Sequence, residues 1–257
     1  MLKADPRQFE EYETILAARF PSEIAVARRL ADSVIDPTRA DAESVWSVLW
    51  DKPLFANARV PVAERWCDTL RPHMEGAWRR WGQPEHFLIN KTGPGTRRSS
   101  FTATGPDAEE ILQTGIALHR LYAAQGAAAA TRTRAARSEM PFADLARMDL
   151  SQAVWQLRHE FRDGWGPITA LHFLTDLGLA AKPDLHLMRA MRHLSGIVPP
   201  VGNRVPGFDE AIVANHAVRQ LLADLGRDPT PANIRYLDKV LMEISRQGII
   251  QPAPVGD

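Results

Sequence analysis

The chain has 257 residues, of which 45% are hydrophobic and 24% charged, and its 31 basic and 31 acidic side chains give a formal net charge of zero. This composition is typical of a globular protein, and no apolar run is long enough to span a membrane. No signal-peptide pattern follows Met1, so we expect a cytoplasmic location. The single cysteine, Cys67, excludes an intramolecular disulfide, a zinc site built from cysteines and a four-cysteine iron–sulfur cluster.

In chain order, apolar residues recur at helical spacing over most of the sequence, and strand signals are few. We therefore predict an all-α, mostly helical fold with one small β-hairpin. The predicted helices cover residues 9–20, 22–35, 40–50, 59–81, 106–124, 150–161, 168–177, 184–193, 208–225 and 231–246. The predicted hairpin pairs residues 86–90 with residues 99–102.

Two stretches concentrate basic side chains. Arg97 and Arg98 lie at the tip of the predicted hairpin, among glycine, serine and threonine residues. Such a tip suits contact with phosphate groups, and it is equally typical of a solvated surface loop. Residues 126–138 are rich in alanine and carry three more arginines, as in a mobile linker or a helix that orders on DNA. The zero net charge counts mildly against DNA binding, but local clusters decide the footprint.

The segment at residues 161–194 is predicted to form a helix, a tight turn, a helix, a short connection and a third helix. Gly164 and Gly166 bracket Trp165 in the turn. Glycine there permits a positive φ and a close approach of the backbone to another surface. Pro167 suits the first position of the following helix. Backbone N–H groups at such a turn suit a phosphate oxygen.

The connection after the second helix ends in an aspartate. Gly178 is predicted to end that helix, and Pro183 favours an extended conformation for Lys182. Asp184 then lies at the start of the third helix, where a carboxylate is well placed as a cap and equally well placed to face a pocket. A lone aspartate at a helix start is usually only a cap.

Two strings carry a family resemblance: Gly164-Trp165-Gly166-Pro167-Ile168-Thr169-Ala170, and, after Gly178, Pro183-Asp184-Leu185-His186-Leu187-Met188-Arg189. Together they resemble the helix-hairpin-helix GPD superfamily of DNA glycosylases. The resemblance implies two helical lobes with the active-site cleft between them. We assign residues 105–196 to the helix-hairpin-helix lobe, and residues 1–104 plus 197–257 to a lobe built from both termini. It also implies double-stranded DNA as the partner, and we expect a monomer.

The resemblance further implies roles for individual residues. Asp184 would be the catalytic carboxylate, which stabilises an oxocarbenium-like sugar or orients a water. Members of the family with lyase activity carry a lysine at the position of Ile168, and isoleucine cannot form a Schiff base. A monofunctional glycosylase without β-lyase chemistry is therefore expected.

The remaining candidate residues contact DNA or support the site. The backbone of the turn would contact phosphates, and its carbonyls could hold a structural monovalent cation; no other cofactor and no catalytic metal are expected. The loop at residues 51–59 would supply the wedge that fills the space of the flipped base, although a plain surface loop is the simpler interpretation. The candidates are Gly164, Trp165, Gly166, Ile168 and Thr169 for the DNA backbone, His186, Arg189, Arg97 and Arg98 as supporting residues, and Asn57 or Arg59 as the wedge.

Two functions remain open at the level of sequence. The first is a monofunctional DNA glycosylase that releases a damaged base in repair, or a modified base such as glucosylated hydroxymethylcytosine in defence against phage. The second is a helix-hairpin-helix module that binds the DNA backbone without catalysis. Asp184 favours the enzyme, because a binding module does not need a carboxylate at that position.

Overall fold

The computed structural model describes residues 4–55, 60–74, 88–91, 99–102, 142–161, 165–196, 204 and 206–250. This part of the chain is mostly helical, as predicted from the sequence. Its helices are α1 (Pro6–Arg19), α2 (Pro21–Asp32), α3 (Ala42–Leu49), α4 (Val60–Met74), α5 (Phe142–Leu145), α6 (Leu150–Phe161), α7 (Pro167–Asp176), α8 (Leu185–Ser195), α9 (Phe208–Asp224) and α10 (Pro231–Arg246), with a short 3₁₀ turn at Lys52–Phe55. None of the described helices is long and apolar enough to cross a membrane.

The predicted β-hairpin is confirmed. Strands β1 (Leu88–Lys91) and β2 (Ser99–Thr102) pair antiparallel, with Leu88 opposite Thr102 and Lys91 opposite Ser99. The tip with Arg97 and Arg98 lies outside the described residues, as do the predicted helix at residues 106–124 and the loop that holds Asn57 and Arg59.

The helices agree with the periodicity of the sequence, and local signals set their ends. The predicted helices at residues 150–161 and 231–246 agree at both ends with α6 and α10. Thr230 caps α10 by accepting the N–H of Asn233 at 3.2 Å, and Pro231 occupies the first helical position. Such signals are local in the sequence, which is why these boundaries are predictable.

The chain divides into two compact units, one formed by residues 1–36 and 174–257 and the other by residues 37–173. The boundary falls inside α7, so the segment that carries Asp184 groups with both chain termini. The lobes assigned from the sequence, residues 105–196 and the two flanking stretches, remain a prediction.

The first unit has an apolar core made by one face of each of its helices. α10 packs against α2, α8, α9 and α1. Its buried side chains recur at helical spacing, as expected for an amphipathic helix that covers a core. They are Ile234, Leu237, Val240, Leu241 and Ile244. Phe9, Met188 and Leu221 bring the other helices into the same core.

The second unit holds the start of α7 through aromatic packing. Trp165 precedes α7 and is 1% exposed. Its ring lies edge-on to Phe173, with ring centroids 5.7 Å apart, and Phe142 of α5 contacts Phe173 in the same way at 6.1 Å. Edge-to-face pairs of this kind favour one orientation of the rings. The turn before α7 is therefore anchored by its tryptophan.

Candidate functional site

Asp184 is the N-cap of α8, as predicted. Its Oδ1 atom accepts the N–H of Leu187 at 2.8 Å, and its backbone carbonyl accepts the N–H of Met188 at 3.1 Å. Within the described part of the chain, no group donates a hydrogen bond to its second carboxylate oxygen. The residue is half-buried, and the cap of α8 fixes one of its two carboxylate oxygens.

The connection before Asp184 begins with a tight helix end. Gly178 has φ +64°, and its N–H reaches the carbonyl of Thr175 at 3.0 Å while that of Leu179 reaches Leu174 at 2.8 Å. These two bonds define a Schellman motif, which confirms Gly178 as the residue after the helix end. A Cβ atom built on Gly178 would lie 2.5 Å from the Cα and O atoms of Pro231. The end of α7 therefore lies directly against the start of α10.

Polar side chains of α9 and α10 then hold the connection residue by residue. Arg219 donates to the carbonyl of Leu179 at 2.7 Å. Asn215 accepts the N–H of Ala181 at 2.7 Å and donates to its carbonyl at 3.2 Å. We call Asn215, Arg219 and Asp238 the connection clamp.

Asp238 makes the last contact of the clamp before Asp184. Its Oδ1 atom accepts the N–H of Lys182 at 2.6 Å, and its Oδ2 atom accepts from Arg235 at 2.7 Å. Arg235 reaches on to Asp176 at the end of α7, at 3.4 Å. The connection is thus tied to α10 on both sides of Gly178.

Burial raises the pKa of Asp238 to about 6, and the negative charge of Asp184 adds to the rise. The Arg235 guanidinium, the N–H of Lys182 and the Lys182 ammonium act in the opposite direction. Asp238 is 4% exposed, so the cost of desolvating its charge outweighs these favourable partners. A buried carboxylate with a raised pKa of about 6 therefore lies within electrostatic reach of Asp184.

The start of α7 differs from the connection, because its N-cap residue has no side chain to bond the backbone N–H groups. Ala170 donates to the carbonyl of Gly166 at 3.0 Å, which makes Gly166 the N-cap of the helix. The N–H groups of Ile168 and Thr169 precede this first helical bond, and glycine offers no side-chain oxygen to cap them. Gly166 is exposed, and a Cβ atom built on it would meet nothing within 4 Å.

The reason for glycine at this turn differs in part from the expectation. Gly166 does not adopt a positive φ, so its backbone does not require glycine. Gly164 lies outside the described residues. The close approach of another molecule to the backbone, the other reason for glycine at this turn, stays a prediction.

The other members of the predicted site differ in their surroundings. The side chain of Trp165 is in the core, so only its backbone remains for contact with DNA. Nδ1 of His186 lies 3.3 Å from the hydroxyl of Ser245 on α10, a contact that accounts for a packing role. Arg189 is half-buried one turn further along α8. Roles of His186 and Arg189 in contacting DNA stay predictions.

Five predicted site residues are not among those described: Gly164, Asn57, Arg59, Arg97 and Arg98. The carbonyls of the turn that would hold a monovalent cation belong in part to residues 162–164, which are also not described. The wedge, the basic tip and the cation therefore stay predictions.

Sequence reasoning missed the connection clamp. Asn215 and Asp238 lie on the buried faces of α9 and α10, where the helical period calls for apolar side chains. A polar residue at an apolar position is the signal that could have found them, because buried polar groups need specific partners. Their partners are backbone atoms more than thirty residues away, so periodicity alone did not identify them.

Comparisons with known proteins give one distant similarity. No protein-family model matches the chain, and no curated protein matches it. Among solved structures, the crystal structure of the 8-oxoguanine DNA glycosylase of Thermotoga maritima has a TM-score of 0.45 and 17% sequence identity to this chain, covering 90% of this chain and 94% of its own. At this level of similarity, the activity and substrate of that enzyme are not assigned to this chain.

Proposed function

We propose that this protein is a monofunctional DNA glycosylase with Asp184 as its catalytic carboxylate. The observation that carries the proposal is the geometry of Asp184. One carboxylate oxygen is fixed by the cap of α8, the other accepts no hydrogen bond from the described residues, and the backbone before Asp184 is held by the connection clamp. A group that stabilises a transition state works best when it is oriented before the substrate arrives.

The reaction is hydrolysis of the bond between the base and C1′ of the deoxyribose. The bond breaks with its electron pair leaving on the base, which takes up a proton, and the sugar acquires oxocarbenium character. The Asp184 carboxylate stabilises that positive charge, and it accepts a proton from the water that adds to C1′. The products are the free base and an abasic site in otherwise intact DNA.

The side chain at position 168 supports the monofunctional reaction. Isoleucine has no amine, so it cannot form the Schiff base through which a β-lyase cleaves the strand. We expect the protein to leave abasic sites that only alkali cleaves, and borohydride reduction to trap no covalent complex between protein and DNA.

The start of α7 supports binding to the DNA backbone. The N–H groups of Ile168 and Thr169 stand at the positive end of the helix dipole, and a Cβ atom built on the N-cap residue Gly166 would meet nothing within 4 Å among the described residues. A contact of this kind positions the protein on DNA without reading its sequence. Gly164 and Trp165 would add their backbone groups to the same contact.

The base remains to be identified among three candidates. Alkylated purines and oxidised guanine would place the protein in base-excision repair, and glucosylated hydroxymethylcytosine would place it in defence against phage. A binding module without catalysis is the alternative function, favoured by the open N–H groups of Ile168 and Thr169 alone. Base flipping, a cytoplasmic location and a monomeric state remain predictions.

The experiment is base release from a panel of duplexes: undamaged, alkylated, oxidised, and phage DNA that contains glucosylated hydroxymethylcytosine. Abasic sites are detected by alkaline cleavage and free bases by mass spectrometry. The key variant is Asp184→Asn. Asparagine is as good an N-cap as aspartate, so α8 is retained while the charge is removed. We expect base release to be lost and DNA binding to survive.

Asp5→Asn is the matched control. Asp5 caps α1 by accepting the N–H groups of Arg7 and Gln8, and it takes no part in the proposed site. We expect this variant to release bases at the wild-type rate. Unchanged turnover by Asp184→Asn would refute the catalytic assignment. Binding without release from every duplex would favour the non-catalytic module.

A further inference from the structure

We propose that Asp238 is a positioning residue for Asp184, and that its negative charge is what holds the catalytic carboxylate in its active orientation. This inference rests on the proposed function. Asp238 contacts neither DNA nor the reacting atoms in the proposed reaction; it acts through the backbone of Lys182.

The first support is the path of hydrogen bonds from Asp238 to Asp184. Asp238 accepts the N–H of Lys182 at 2.6 Å, and the carbonyl of Lys182 accepts the N–H of Asp184 at 2.8 Å. Asp184 in turn accepts the N–H of Leu187. Pro183 lies between them with a fixed φ, so little backbone freedom remains in this stretch. A shift of Lys182 therefore moves Asp184.

The second support is that an apolar core would not need this group. Asp238 lies among Leu237, Val240 and Leu241 on α10. Burying a carboxylate there is costly, and the pair it forms with Arg235 recovers only part of that cost. The charge is better explained by what it holds: the backbone of Lys182 through one oxygen, and Arg235 with Asp176 through the other.

The contacts that Asp238 makes in the connection clamp should depend on pH, and the charged groups around it determine how. Arg235 lies on its own helix, Lys182 and Asp184 lie on the connection, and Asp176 lies at the end of α7 beyond Arg235. Near pH 6 Asp238 takes up a proton and its attraction to Arg235 is lost. The clamp then weakens on the side that faces Asp184.

The first test follows hydrogen exchange of backbone amides in the protein alone, with Asp238→Asn against wild type. Asparagine keeps the shape and one carbonyl oxygen but removes the charge. The amides of Lys182 and Leu187 report on the clamp and on the orientation of Asp184. We expect both to exchange about tenfold faster in the variant. Unchanged exchange at Leu187 would overturn the proposal, whatever the protein does to DNA.

The second test is the pH dependence of base release, measured with whichever panel duplex the wild-type protein cleaves. We expect the wild-type rate to fall as the pH drops through about 6. Asp238→Asn should be slower by about 10- to 100-fold at pH 8, since small displacements of catalytic groups have effects of this size. Its rate should lack the step near pH 6, and its affinity for DNA should stay within about twofold of wild type.

Two further variants separate positioning from general damage to the fold. Arg235→Gln removes the group that stabilises the charge on Asp238, so the step in the rate should move to a higher pH. Loss of structure alone would not move it. Asp224→Asn changes an exposed aspartate on α9 that accepts a hydrogen bond from Gln220, and this variant should keep the wild-type profile. If Asp238→Asn does not fold, the direction of the shift in Arg235→Gln decides the question.

The outcomes distinguish this inference from the proposed function. Accelerated exchange at Leu187 in Asp238→Asn, with no base released by the wild-type protein from any duplex, would retain the positioning of Asp184 and reject the glycosylase. Base release that depends on Asp184 but has the same rate and pH profile in Asp238→Asn would retain the glycosylase and reject the positioning role.

Discussion

The polar backbone groups at the two ends of α7 differ in the hydrogen-bond partners that the protein offers them. At its end, Gly178 closes a Schellman motif, and the residues that follow are bonded to Arg219, Asn215 and Asp238. At its start, a Cβ atom built on Gly166 would meet nothing within 4 Å in the described part of the chain, and glycine offers no side chain to the first N–H groups of the helix. The polar groups at the end are bonded to side chains of the protein, whereas the N-cap residue at the start has no side chain that could bond the first N–H groups.

The two glycines therefore differ in whether the fold requires glycine at their position. Gly178 is required by the fold, because its φ is +64° and Pro231 occupies the place of a Cβ atom. Gly166 has neither constraint. The contact of this turn with DNA is a prediction, and glycine is also an acceptable N-cap residue.

Gly178→Ala should destabilise the protein most. Alanine at positive φ costs about 1 kcal/mol, and overlap with Pro231 adds roughly 1–3 kcal/mol. Gly226→Ala is the matched control: Gly226 closes the same motif on α9 with φ +66°, but a Cβ atom there meets nothing within 4 Å. Urea unfolding should show a loss of only about 1 kcal/mol for the control. Equal losses of stability in the two variants would mean that Pro231 can move away from the added Cβ atom at little cost.

The buried Asp238 should make stability depend on pH. Its pKa is raised from 3.8 to about 6 in the folded state, so the folded state binds the proton more tightly than the unfolded state. The stability this group contributes is full below pH 4 and is lost as the pH rises through 6, a change on the order of 3 kcal/mol. The unfolding free energy of the wild type minus that of Asp238→Asn should therefore decrease as the pH rises over this range. A difference that is constant from pH 4 to 7 would contradict the raised pKa.

Asp184 should contribute to stability only as a helix cap. Asp184→Ala removes the acceptor for the N–H of Leu187 and should cost about 1 kcal/mol, while Asp184→Asn should cost less than about 0.5 kcal/mol. Thermal or urea unfolding of the two variants measures this. Both should nevertheless lose base release equally. A large loss of stability in Asp184→Asn would show that the charge serves the fold rather than catalysis.

Gly166→Ser should have the smallest effect on stability, and it should increase the free energy of unfolding. Serine at the N-cap of α7 supplies an oxygen to the N–H groups of Ile168 or Thr169 and should stabilise the fold by up to about 0.5 kcal/mol. The same oxygen competes with a phosphate, so affinity should fall for all DNA sequences alike, as measured by titration with duplexes of different sequence. Unaltered affinity would remove the start of α7 from the DNA interface.

The local features of this protein could be predicted from its amino-acid sequence. Apolar spacing identified α6 and α10 to the residue, and Pro183 with Asp184 predicted both the extended connection and the cap of α8. These features are encoded within one or two helical turns, where side-chain periodicity and capping act. The class of fold follows from the same short-range signals.

The way in which Asp184 is held could not be predicted from the sequence, because it depends on contacts between distant segments. The partners of the connection come from α9 and α10, between 34 and 56 residues further along the chain. Gly178 shows the same limit: its positive φ is predictable from the helix end, but its contact with Pro231 is not. Contacts between distant segments depend on how whole helices pack, and no spacing within one helix encodes which backbone group a buried Asn215 or Asp238 will meet.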